Sequence, residues 1–215
     1  MSLSATFSEP TRAGGGRRPG SIPRRAAAVL CLLSMAAPAA GKVLLTGDEA
    51  LKLAFPHSTI TRHTIYLTED ELAQAAALAG EAIPTAVVNP YVATGDSAEA
   101  GTAYFDTHRV RTLPETLLIV VGGDGRVRRV EVLAFDEPST YLARGPWLAQ
   151  FEGQALDDQL AIKRDIRALA GATLTARATL AAVRRVLAVH QVIAPELGTA
   201  AATPVPKAAP AKAGP

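Results

Sequence analysis

Residues 115–135 constrain the fold of this chain more than any other segment. A run rich in β-branched and aliphatic residues, 116–121, meets Gly122-Gly123-Asp124-Gly125, and a second such run follows over 127–135. Glycines linking two such runs predict an antiparallel hairpin. A phosphate loop would need a following helix and a Lys-Ser/Thr ending, and this segment has neither. The rest of the chain has to cover that hairpin.

The covering elements are legible on both sides. Over 172–193, Leu180, Val183, Val186, Leu187 and His190 recur at helical spacing. Arg177, Arg184 and Arg185 fall on another face, where Arg184 and Arg185 are expected to meet solvent or a partner. Pro195 and Gly198 predict the end of this amphipathic helix near Ile193. Upstream, Thr46-Gly47-Asp48-Glu49 opens a predicted helix over 47–55, and Thr68 caps another through Ala79 and Gly80. Strands are predicted over 61–67, 84–88 and 100–105. Pro138 and Pro146 bound a loop leading to Trp147 and Phe151, and residues 157–169 read as polar, part loop and part short strand or turn. Without a βαβ rhythm, the pattern implies an α+β domain: a mixed or antiparallel sheet, flanking helices and a long C-terminal amphipathic helix.

Charge separates the ends from the body. The chain carries a net +2, but residues 1–41 hold five arginines against one glutamate. Residues 42–198 hold fifteen basic and nineteen acidic side chains, net −4, which argues against a nucleic-acid-binding body. Arginines 12, 17, 18, 24 and 25 lead into the apolar run 26–40, with small residues at Ala37-Pro38-Ala39. This is the layout of a secretory signal, or of an uncleaved anchor, over 1–41. It predicts an exported, periplasmic body. No apolar run reaches the length of an ordinary spanning helix, which excludes a polytopic membrane protein. Residues 199–215 are Ala, Pro and Lys and predict a disordered tail, leaving 42–198 as one domain. The single cysteine, Cys31, belongs to the leader, so disulfides, thiolate metal sites and a cysteine nucleophile are not expected in the body.

Gly171-Ala172-Thr173-Leu174-Thr175 begins the long helix. Two small residues permit close backbone approach, and hydroxyls follow where a helix exposes unpaired N–H groups. The segment serves equally as a simple N-cap. Elsewhere, His57 and His63 are too isolated for a metal site, and Asp157, Asp158 and Asp165 read as solvated charges. Tyr104, Phe105 and Trp147 read as core, His190 as packing, and His108 by spacing alone as a surface or capping residue. No catalytic constellation is predicted.

Residues 167–178, Arg-Ala-Leu-Ala-Gly-Ala-Thr-Leu-Thr-Ala-Arg-Ala, resemble the flavinylation segment of the FMN-binding domain family, which includes the C subunit of the sodium-translocating NADH:quinone reductase and the G subunit of the Rnf complex. The likeness extends back to about Tyr104, through Asp106-Thr107-His108, the hairpin, Phe135-Asp136-Glu137-Pro138, Tyr141, Trp147 and Phe151, and places the FMN-binding part at about 100–195. It does not place 42–100. It implies an FMN joined by its phosphate to Thr173, attached by a separate magnesium-dependent flavin transferase. Gly171, Ala172, Leu174 and Thr175 would surround the link, with Arg177 and His108 as contacts to phosphate or flavin. Two positions depart from the family pattern: Arg167 stands where it has Asp, and Ala170 where it has Ser or Thr. Arg167 is then available to pair with the phosphate of a non-covalently held FMN. The function implied is an exported electron-transfer flavoprotein, rather than a stand-alone enzyme, serving redox partners near the membrane. The alternatives are a flavin-free binding module of the same fold and a flavin-dependent reductase.

Overall fold

The computed structural model describes residues 42–95 and 100–200. The leader with Cys31, and the tail from residue 201, lie outside the described residues. The elements run β1 (Lys42–Val43), α1 (Gly47–Ala54), β2 (Thr59–Arg62), β3 (Ile65–Tyr66), α2 (Glu69–Ala79), β4 (Val87–Val88), β5 (Tyr91–Thr94), β6 (Gly101–Arg109), β7 (Pro114–Gly122), β8 (Val127–Phe135), α3 (Gly145–Leu148) and α4 (Thr173–Ala200). Six strands form an antiparallel sheet in the order β1-β8-β7-β6-β5-β2, and β3 pairs with β4 in a separate ribbon. The domain is α+β, as expected.

The β7–β8 hairpin sits inside the sheet, and alternation along β7 explains why. Leu117, Ile119 and Val121 enter a core shared with α4. Leu118 and Val120 enter a second core under α1, with Leu51, Phe55 and Leu133. All five β7 side chains are at most 1% exposed, so this strand reads as a continuous apolar run, not an alternating one. Thr46 and Thr68 each close a capping box, with Glu49 and Glu71 answering from the third helical position. Gly80 ends α2 in the left-handed conformation that glycine adopts without strain.

Three expectations need correction. The predicted strand over 61–67 is broken into β2 and β3, which join different sheets. The break is held from the side: Arg62 Nη2 and Thr64 Oγ1 both donate to Asn89 Oδ1, and His63 N–H donates to the Pro90 carbonyl. Second, α4 does not stop near Ile193 but runs through Pro195 to Ala200. Ile193 and Leu197, one turn apart, are both buried, so the apolar stripe continues past a proline that removes one helical donor. Third, Arg184 and Arg185 turn inward. Arg184 donates to the carbonyls of Ala79, Asp157 and Leu160, which ties the end of α2 and the 157–160 loop to α4.

Leu187 is fully buried at the centre of the α4 stripe. Leu187→Ala is expected to lower the unfolding free energy by about 2–5 kcal/mol, seen as an earlier urea midpoint with an unchanged slope.

Candidate functional site

The start of α4 borders a hollow of about 310 Å³, lined by Gly171 to Thr175 together with Val110, Arg111, Glu137 and Tyr141. Gly171 has φ 76°, a left-handed turn that aims the chain into the helix. Ala172 N–H bonds the Leu169 carbonyl, and the helical ladder starts with Ala176 N–H to Ala172 O. Helix geometry therefore gives the N–H groups of Thr173, Leu174 and Thr175 no carbonyl within α4. The approach to this turn is pinned from α3 and the turn after it: Trp147 Nε1 donates to the Arg167 carbonyl at 2.9 Å, and Arg167 N–H donates to Gln150 Oε1 at 2.9 Å.

The two hydroxyls of the segment differ. Thr175 is 1% exposed, and its Oγ1 donates to the Tyr141 carbonyl at 2.8 Å. Thr173 is exposed at the edge of the hollow. The opposite wall is the turn between β6 and β7. Glu137 Oε1 accepts from Thr112 N–H at 2.7 Å and Leu113 N–H at 2.9 Å, with Thr112 Oγ1 at 3.3 Å. Those backbone donors hold the Glu137 carboxyl below the usual carboxylate range, with a smaller contribution from Arg111. Glu137 thus fixes the turn that carries Arg111 to the hollow.

The structure brings five of the predicted residues together and leaves two apart. Gly171, Ala172, Thr173, Leu174 and Thr175 share the hollow; Arg177 is exposed and His108 is elsewhere, and neither lines it. Arg167 is exposed and also off the lining; the cation that lines the hollow is Arg111. Val110, Arg111, Glu137 and Tyr141 were not predicted as site residues. The Asp-Glu-Pro run and Tyr141 stand out in the sequence only through the family resemblance, and nothing in the sequence marks Arg111.

His108 lies behind the hollow, between two carboxylates: Nδ1 is 2.8 Å from Asp106 Oδ1 and Nε2 is 3.1 Å from Glu115 Oε2. Burial works against a charged ring, but the hydrogen bonds to Asp106 and Glu115 outweigh it and push His108 up to about 9. Asp106 also binds Arg185 through two nitrogens, at 2.9 to 3.1 Å, and Arg185 reaches Glu81. Further along, Tyr104 Oη and His190 Nδ1 meet at 2.8 Å, both buried, and burial lowers the His190 pKa.

A histidine whose folded-state pKa is raised contributes stability that is complete below its unfolded value, ~6.5, and is lost as pH rises through about 9. The contribution is on the order of 2–3 kcal/mol. Urea unfolding between about pH 6 and about pH 10 is expected to show the gap between the parent protein and His108→Gln closing toward the alkaline end.

An anionic phosphate suits the hollow. Unpaired N–H groups, the positive end of a 28-residue helix and Arg111 converge there, beside apolar surface from Val110, Leu174 and Tyr141. Residues 113–188 match the family model described as FMN-binding domain. The match covers β7, β8 and the first four turns of α4, and it starts somewhat later than the resemblance traced to about Tyr104. No curated protein and no solved structure matches the chain. Over residues 113–188 the chain is thus similar to the FMN-binding domain family, and that match supports FMN as its cofactor.

Proposed function

We propose that this FMN-binding protein is an exported electron carrier whose flavin is joined through its phosphate to Thr173. The observation that carries the link is the contrast between the hydroxyls: Thr175 spends its proton on the Tyr141 carbonyl inside the fold, while Thr173 stands exposed beside the unpaired N–H groups. FMN supplies the electron chemistry when bound. The chain's own residues bind and orient it: the helix start and Arg111 take the phosphate, and Val110, Leu174 and Tyr141 offer apolar contact to the ring. An open hollow leaves the ring within reach of a redox partner. Export rests on the basic leader and apolar run of 1–41, and it favours a covalent link because FMN lost outside the cytoplasm is not replaced. Attachment calls for a flavin transferase. The partners, on this reading, are redox proteins at or near the membrane, and an uncleaved leader would anchor the domain there.

Arg167 and Ala170 alter the segment that a transferase would recognise, but the acceptor hydroxyl and the left-handed turn at Gly171 remain. The intact mass of the chain made with an active flavin transferase and exported is expected to rise by one covalently joined FMN. The increment is expected to vanish in Thr173→Ala and to persist in Thr175→Val. An adduct that survives Thr173→Ala overturns the assignment.

A further inference from the structure

The hollow opens at one end of the domain, and the charge at that end is one-sided. Arg111 lines it, and Arg109, at the end of β6, donates to the Thr112 carbonyl in the same turn. Arg144, the N-cap residue of α3, follows Tyr141 of the lining by three residues, no more than about 11 Å of chain. Arg177 stands one turn past Thr173, about 6 Å along the same face of α4. Arg167 precedes Gly171 by four residues, within about 14 Å. All five arginines are exposed.

The acids at this end do not cancel them. They are Asp136, half-buried, and Glu137, buried with its carboxylate committed to the backbone of Thr112 and Leu113. Asp165, two residues before Arg167, shares its exposed turn with Lys163 and Arg164. Away from this end the described residues of 42–198 run the other way, with ten basic against fifteen acidic side chains. The body is thus acidic with one basic pole, and the pole surrounds the hollow.

Apolar surface lies inside this ring of charge. Leu113, Tyr141 and Leu174 are among the large apolar side chains that stand exposed, and Tyr141 and Leu174 line the hollow itself. An apolar centre holding a tyrosine and rimmed by arginine has the composition of a protein contact rather than of ordinary surface. Redox proteins meet through small, short-lived contacts, and opposite charge steers the encounter. A bound FMN would set its phosphate against Arg111 and the helix start, which leaves Arg109, Arg144, Arg167 and Arg177 to act on whatever approaches the ring.

We propose that this end of the domain docks an electron-transfer protein whose redox centre is ringed by Asp and Glu. The inference rests on the FMN reading of the hollow and names the class of partner for it. Charge selects that partner: carboxylates meet the arginine forks in pairs, while a basic carrier is repelled from the end where the flavin is reached. With a one-electron acceptor, each encounter moves one electron from the reduced flavin to the partner's redox centre. Two encounters return the flavin to its oxidised form, and the protons it had gained go to water.

The test is stopped-flow electron transfer from the exported chain, made with an active flavin transferase and reduced without oxygen by one equivalent of dithionite. The acceptors are an oxidised acidic plastocyanin and an oxidised basic c-type cytochrome. The rate with plastocyanin is expected to fall roughly tenfold or more between ~10 and ~300 mM salt, and the rate with the cytochrome to rise or stay level. Arg144→Glu combined with Arg177→Glu is expected to remove most of that fall, with FMN content and the reaction with a neutral benzoquinone unchanged. Each single substitution is expected to give part of the effect, so the comparison stands if the pair fails to load flavin. These substitutions leave the basic leader untouched, so a salt dependence that survives them overturns the inference. A cytochrome rate that falls with salt, or a flavin reoxidised by the quinone but by neither protein, overturns it too. If the plastocyanin rate ignores the substitutions but they release the chain from vesicles of anionic phospholipid, the pole meets lipid and the inference fails. In each of these cases the FMN reading stands. A chain that holds no FMN after production with the transferase and free FMN overturns both.

Discussion

Arg185 reaches across from α4 and grips both oxygens of Asp106 on β6, and most of the site's geometry depends on that docking. A buried ion pair is a poor source of net stability, because desolvating both partners offsets most of their attraction. It is a strong source of register. A helix lying on an apolar sheet can slide or rotate at small cost, but sliding α4 by one turn would separate Arg185 from Asp106, His190 from Tyr104 and Thr179 from Glu115 together. Each broken contact would leave a polar group buried and unpaired. The apolar stripe holds α4 to the sheet, and the polar seam selects where along the sheet it sits. That choice sets the position of Thr173, the first residue of the helix.

The hollow is assembled from two directions by the same logic. On the helix side, Thr175 is fixed to the Tyr141 carbonyl, and Trp147 and Gln150 hold the backbone at Arg167. On the sheet side, one carboxylate oxygen of Glu137 gathers the two N–H groups and the hydroxyl of the 112–113 turn. A negative side chain beside a phosphate site looks unhelpful, yet this one is satisfied by three donors and lies near Arg111. Its effect is to organise the turn, while Arg111 and the helix start supply the positive groups that line the hollow.

Local chemistry was legible in the sequence wherever it decides structure alone. The threonine-capped helix starts at 46 and 68, the glycine-rich hairpin turn and the helical spacing of Leu180, Val183 and Leu187 each read correctly, because neighbours in sequence settle them. What failed depends on distant partners. A proline read as a stop is overridden because Leu197 finds a buried place beyond it. A β-branched run is split because Asn89 and Pro90 bind its middle. Arg184 and Arg185 read as a solvated face because their partners lie about eighty to a hundred residues away or on backbone carbonyls. The same reason hides half of the hollow: Gly171 to Thr175 are contiguous, while Arg111 and Glu137 become site residues only once the β6–β7 turn is folded against α4.

The seam also explains how a chain with an altered motif can keep a site for FMN. Arg167 and Ala170 replace a carboxylate and a hydroxyl in the approach to the helix, but the side chain of Arg167 is exposed and only its backbone is engaged, by Trp147 and Gln150. The position therefore acts in the fold through main-chain atoms that any residue but proline supplies. What the proposed link requires instead is the left-handed turn at Gly171, the exposed hydroxyl of Thr173 and a helix start held in register. Exchanging an acid for a cation at 167 brings positive charge toward a phosphate-binding helix end, a change in the favourable direction for an anion. On the proposed reading, recognition of the segment by a transferase and retention of the phosphate by the folded domain would rest on different atoms: side chains at 167 and 170 for the first, the helix start for the second.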